Sequence, residues 1–338
     1  MDIEWQTRLK EAGKGYEAQF PGVVPYEGVS YYGLPAVKAG YYHWLVAAYF
    51  FIGGLASAAQ FLAAAIDLTG GQESRSTVRT GRYLALLGAL VSPPLLIADL
   101  HTPRRWYNML RIFRRTSAMS IGSWSLSAFG IFSGLAAVGQ AVDDIFKLKA
   151  ARWLARLAGL PAALFGGVVA IYTGTLLAAT NIPLWISGFP FLSSLFASSA
   201  ASTATAALTL ATPVIHERIR RRLSAFALVA GIAEFIFSSV INRRWRRQSA
   251  AAPFRDLRLG STWYLGVFGL GIIGPFIVHL FHVLTGRESR RVTTLSAIAT
   301  LIGGFLLRIV FIFGGRESAE NPQDYLRLTH EYRNLGKG

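Results

Sequence analysis

Eight apolar stretches recur between residues 41 and 314, each close to the ~20 residues a helix needs to cross a hydrocarbon layer. They fall at 41–66, 82–99, 121–141, 157–180, 191–212, 223–241, 262–284 and 293–314. Nothing else in the chain constrains it more. A segment in lipid must satisfy its own backbone N–H and C=O groups, and a lone segment does so as an α-helix. The sequence therefore predicts an all-α fold, a polytopic membrane bundle of about eight transmembrane helices. A polar tail, 1–40, precedes the membrane domain at 41–314, and a second tail, 315–338, follows it. No cleavable signal is expected in the first tail, which lacks a basic start followed by an apolar run. The fifth span is rich in Ser, Ala and Thr, which predicts close helix packing.

The net charge of +16 resembles that of a nucleic-acid binder. The arginines instead flank the apolar spans, where membrane proteins keep them for lipid headgroups and orientation. The expected surroundings are a lipid bilayer, with no nucleic acid. The chain has no cysteine. It thus cannot hold a cysteine-ligated iron–sulfur cluster, a covalent haem or a disulfide.

An even number of spans returns the chain to the face on which it starts, here called the N-face. Seven of the eight tryptophans are expected there: Trp5, Trp44, Trp106, Trp124, Trp185, Trp245 and Trp263. Only Trp153 is assigned to the far face. A headgroup belt populates both faces, so this loading suggests that the N-face also docks a partner or builds an aromatic core.

Ionisable groups inside a membrane cost roughly 2.5–3.5 kcal/mol each at mid-bilayer and need a reason. His43 opens the first span, Asp99 ends the second, and Tyr172 lies about two turns below the N-face in the fourth. Arg308 lies in the last third of the eighth. Four polar groups from four helices are thus expected at one leaflet. Taken singly, each has a plain structural reading: an interfacial aromatic, a helix cap, packing, or snorkelling. Their shared depth favours a site. Pro93 and Pro94 leave the carbonyls of Ala89 and Leu90 without donors, which predicts a kinked, opened helix beside Asp99. Glu234 is expected deeper. His279 and His282 are expected as interfacial residues at the far face. Gln60, Asp67 and Glu234 are candidates for a proton path to that face, with Arg308 as a counter-ion. No set of metal ligands is evident.

The stretch "DLHTPRRWYNMLRIFRRTSAMSIGSWSLSAFG" resembles the signature of the NrfD/polysulfide-reductase family of membrane subunits. So do "YYHWLVAAYFFIGGLASAAQ", "YTGTLLAATNIPLW" and "GGFLLRIVFIFGG", in the first, fourth and last spans. The resemblance implies a haem-free anchor in the bacterial inner membrane, part of a respiratory oxidoreductase and not catalytic alone. It would exchange electrons between a ferredoxin-like iron–sulfur subunit on its N-face and a quinone or quinol, menaquinone or ubiquinone. A molybdopterin or other redox subunit would lie beyond. His43, Asp99 and Tyr172 match positions associated with quinone binding or its proton exchange. Arg105, Asn108, Ser123 and Trp124 match motif positions at the same face. The sequence departs from the family pattern at His101-Thr102, Ala118 and Ile186-Ser187, in or near the docking loops.

Two other classes compete. A haem b anchor needs a histidine from each of two facing helices, yet His43 and the His279–His282 pair are expected at opposite surfaces. An ion- or proton-translocating transporter fits membrane acids and a broken helix, but no internal repeat accompanies them.

Overall fold

The computed structural model describes residues 37, 40–212, 216–247, 252–286 and 289–320. Most of the N-terminal tail, including Trp5, and residues 321–338 lie outside them. Among the described residues, eight helices are long and apolar enough to cross a membrane. They are α1 (Trp44–Thr69), α2 (Arg75–Ala98), α3 (Ala118–Phe146), α4 (Lys149–Ala178), α6 (Phe191–Ala211), α7 (Glu217–Arg247), α8 (Leu257–Thr285) and α9 (Arg290–Glu320). A one-turn helix, α5 (Pro183–Ile186), lies between α4 and α6. The protein is a multi-pass membrane protein.

Several spans outrun their apolar stretches because arginine-rich ends continue the helix past the hydrocarbon. The seventh helix reaches Arg247, six residues beyond its apolar stretch at 223–241. The eighth span passes the expected boundary at 314 and continues to Glu320, with Gly315, Ser318 and Ala319 buried. A Cβ on Gly315 would fall 2.1 Å from the Trp185 indole nitrogen, so this extra turn packs under a tryptophan.

Helix α1 is the central strut, packed against α2, α4, α6 and α9. Its small residues allow the approach. A Cβ on Gly88 of α2 would come within 2.2 Å of Ala56, and one on Gly166 of α4 within 2.9 Å of the Ser57 carbonyl. Helix α6 is largely buried, and its threonine hydroxyls bond back to their own helix. Thr203 donates to the Ser199 carbonyl and Thr205 to that of Ala201, both at 2.8 Å.

Two helices depart from expectation. The helix foreseen to open at Pro93 and Pro94 stays one helical run: α2 carries both prolines and continues to Ala98. The irregularity sits in α8 instead, where Thr262–Ile273 forms a π-helix. At its end the Gly274 N–H bonds to the Gly269 carbonyl, five residues back. Pro275 follows and has no N–H to continue an α-helical ladder. Glycine lines this segment, and Gly271 meets Gly303 of α9 backbone to backbone.

The N-face end of α7, α8 and α9 closes over an aromatic core. Trp245 stacks on Phe254 at 4.7 Å and meets Trp263 and Phe311, each at 5.2 Å. Trp185, Trp245 and Trp263 are fully buried, and each indole N–H finds an acceptor. Those acceptors are the Phe311 carbonyl (2.6 Å), the Leu184 carbonyl (2.9 Å) and the Asn242 side chain (3.4 Å). Trp44, Trp106 and Trp124 are exposed. The described N-face tryptophans thus divide equally between core and surface.

Candidate functional site

His43 caps α1 in an extended conformation. Asp99 is the C-terminal cap of α2. Because α1 and α2 pack side by side in opposite directions, the start of one meets the end of the other. His43 Nδ1 lies 3.3 Å from Asp99 Oδ1. The imidazole is 40% exposed and the carboxylate 5%, so the acid is covered while the ring looks outward. Burial pushes the Asp99 carboxyl above its ordinary 3.8, with His43 and then Arg316 pulling it back. Tyr41 packs edge-on against both His43 (4.5 Å) and His101 (5.5 Å).

Tyr172 does not reach this pair directly. Its hydroxyl bonds that of Tyr49 at 2.9 Å, with both rings buried. The Tyr172 ring lies on the bare face of α3, where a Cβ on Gly122 would come within 2.0 Å. Tyr42 is within electrostatic reach of both Asp99 and Tyr172. Burial, and then the charge of Asp99, push its phenol up. Its ring packs against Trp185 at 5.7 Å. Two hydroxyls joined by one hydrogen bond leave one O–H uncommitted. This end of the bundle therefore gathers an imidazole, a carboxyl and three phenols.

The other expected site residues separate into groups. Arg105 and Asn108 are exposed on the loop after α2, within a 3₁₀ turn, Pro103–Leu110. Ser123 is buried and donates to the Met119 carbonyl at 2.8 Å. Trp124 is exposed and meets Phe113 edge-on. Arg308 has its hydrogen-bond partners elsewhere than at His43 and Asp99. It is buried in a knot with α6, donating to the Ser199 hydroxyl and to the carbonyls of Gly304 (3.1 Å) and Phe196 (3.2 Å). Arg316, about 12 Å further along the helix, is the arginine whose charge reaches Asp99. Shared depth did not bring Arg308 to the histidine, because its side chain points into another seam of the bundle.

Among the described residues, no hydrogen bond joins any two of Gln60, Asp67 and Glu234. Gln60 donates to the Gly159 carbonyl at 3.1 Å. Asp67 is clamped by Arg82 (3.0 Å) and Arg156 (2.9 Å) at the far end of α1. Glu234 is buried facing Ser199 and Ser202, within Coulombic reach of Arg308 but not in an ion pair with it. His282, in the last turn of α8, is buried, 6.3 Å from His279 ring to ring.

Sequence reasoning missed Tyr42, Tyr49 and Arg316. Tyr49 sits in "AAYFF", where a phenol is indistinguishable from core aromatics until its partner helix is placed. Arg316 falls in the stretch expected to be a tail.

A family model, polysulphide reductase NrfD, matches residues 37–318. The sequence is also similar to that of the C polypeptide of polysulfide reductase from Wolinella succinogenes. The two are 25% identical over 300 residues, 81% of the present protein and 94% of that one. The match spans all eight membrane helices and both helix ends that form the His43–Asp99 contact, and the protein belongs to the polysulphide reductase NrfD family.

Proposed function

We propose that this protein is the membrane anchor of a redox enzyme complex in the bacterial inner membrane. It exchanges electrons between an iron–sulfur subunit on its N-face and a membrane quinone held near His43 and Asp99. The observation that carries this reading is the 3.3 Å contact between a half-exposed imidazole and a covered carboxyl, backed by phenols, at one end of the bundle. The similarity to one lettered polypeptide of a reductase supports a multi-subunit setting.

The residues suit a quinone headgroup. A bound quinone takes up or releases two electrons together with two protons. Asp99 faces Nδ1 of His43, which orients the ring and leaves Nε2 to meet a carbonyl oxygen. The uncommitted O–H of the Tyr49–Tyr172 pair is a second donor about two turns deeper. Asp99 can hold a proton for the imidazole, because its carboxyl is already raised by burial.

Partner docking is assigned to the loop between α2 and α3. Arg104, Arg105, Arg111, Arg114 and Arg115 are exposed there beside Trp106, Tyr107, Ile112 and Phe113. A basic rim around exposed aromatics suits an acidic, ferredoxin-like surface. A molybdopterin or other redox subunit would complete the complex. The test is turnover of the purified complex carrying His43→Ala or Asp99→Asn. Quinone-linked activity drops roughly a hundredfold or more, while dye reduction by the partner subunits persists. Normal quinone reactivity in both variants would refute the assignment.

A further inference from the structure

At the far face, the ends of α1 and α3 and the starts of α2 and α4 enclose a cavity of about 460 Å³. Six basic side chains line it (Arg75, Arg79, Arg82, Lys147, Arg152 and Arg156) against three carboxylates, Asp67, Asp143 and Asp144. Each carboxylate is already engaged through both oxygens. Asp67 accepts from Arg82 and Arg156. Asp143 accepts a two-pronged contact from Arg152, both bonds at 3.0 Å. Asp144 accepts from the Tyr83 hydroxyl (2.8 Å) and the Gln140 amide (3.0 Å).

Arg82 forms the floor. It is buried and held by Gln140 at 2.6 Å and Asp67 at 3.0 Å. Arg75 and Arg79, one helical turn apart, stand at the mouth with no hydrogen bond or ion pair among the described residues. Arg75 lies within Coulombic reach of Asp143, whose two oxygens are already taken by Arg152. The surplus of positive charge is focused by low-dielectric walls, and the start of α2 adds the positive end of its dipole.

We propose that this cavity binds a phosphate-type oxyanion, with Arg75 and Arg79 as its direct contacts. The position, at the membrane-facing end of four helices, suits the phosphate of an anionic lipid headgroup; free phosphate carries the same chemistry. The site is separate from the His43–Asp99 end and does not depend on the function assigned there.

The test is native mass spectrometry of the delipidated full-length protein titrated with dioleoylphosphatidylglycerol or dioleoylphosphatidylcholine. Thermal unfolding with millimolar inorganic phosphate runs in parallel. Two variants are compared, Arg75→Gln/Arg79→Gln and, at the same face but outside the cavity, Arg290→Gln/Arg291→Gln. A preference for phosphatidylglycerol that falls about tenfold only in the first variant supports a lipid occupant. Stabilisation by inorganic phosphate, lost only in the first variant and without lipid preference, supports the free anion. Equal affinities in the unmodified protein and the first variant, or an equal loss in both variants, overturns the proposal.

Discussion

At the scale of single residues, the chemistry depends on which neighbour each polar group meets rather than on its depth. Asp99 illustrates this through pH. Its folded carboxyl is raised above the ordinary 3.8 by burial. An acid raised in this way contributes stability below its unfolded value and loses it as pH climbs through the folded one. Replacing Asp99 with Asn removes that loss. Melting temperatures from pH 4 to 8 should therefore decline less steeply for Asp99→Asn than for the unmodified protein, and parallel curves would contradict the burial argument. His43 and Asp99 were legible in the sequence because each sits at a helix end whose depth follows from counting spans. Tyr49 and the true position of Arg308 were not. Depth is set by residue number, but direction around a helix depends on which neighbour packs where.

At the scale of elements, hydropathy located all eight spans, since a run of apolar residues in lipid has one satisfactory backbone form. Their ends were less legible, because arginines at 244, 246 and 247 remain helical after the apolar pattern stops. Proline marked irregularity only in part: α2 carries Pro93 and Pro94 within one helical run, and the π-helical stretch of α8, which the sequence did not announce, precedes a single Pro275. Close contacts between elements rest on glycine. Gly303→Ala places a methyl 2.1 Å from the Gly271 backbone, which cannot withdraw. The expected cost is about 1–3 kcal/mol, read as a lower melting temperature in detergent. Gly134→Ala on α3, where the methyl meets nothing within 4 Å, should be neutral or slightly stabilising. Equal effects at the two positions would remove the packing explanation.

At the scale of the whole molecule, the bundle is polarised. One end carries the histidine, the covered acid, the phenols and the exposed arginine-rich loop after α2; the other carries the cationic cavity. If the loop after α2 holds an acidic partner, Arg104→Glu/Arg105→Glu should weaken the complex about tenfold and lower the salt concentration at which it dissociates. Co-elution of the subunits at increasing salt measures this. Unchanged co-elution would move the docking surface elsewhere on the N-face. The polarity was partly legible in the sequence, since seven tryptophans were assigned to one face, but only packing could divide them between core and surface. That division also gives the molecule an optical gauge. Six of the seven described indoles sit at the N-face end, three buried and three exposed, and Trp153 is alone among them at the other. Intrinsic ultraviolet emission from the described indoles therefore monitors events at that end, with no dye attached.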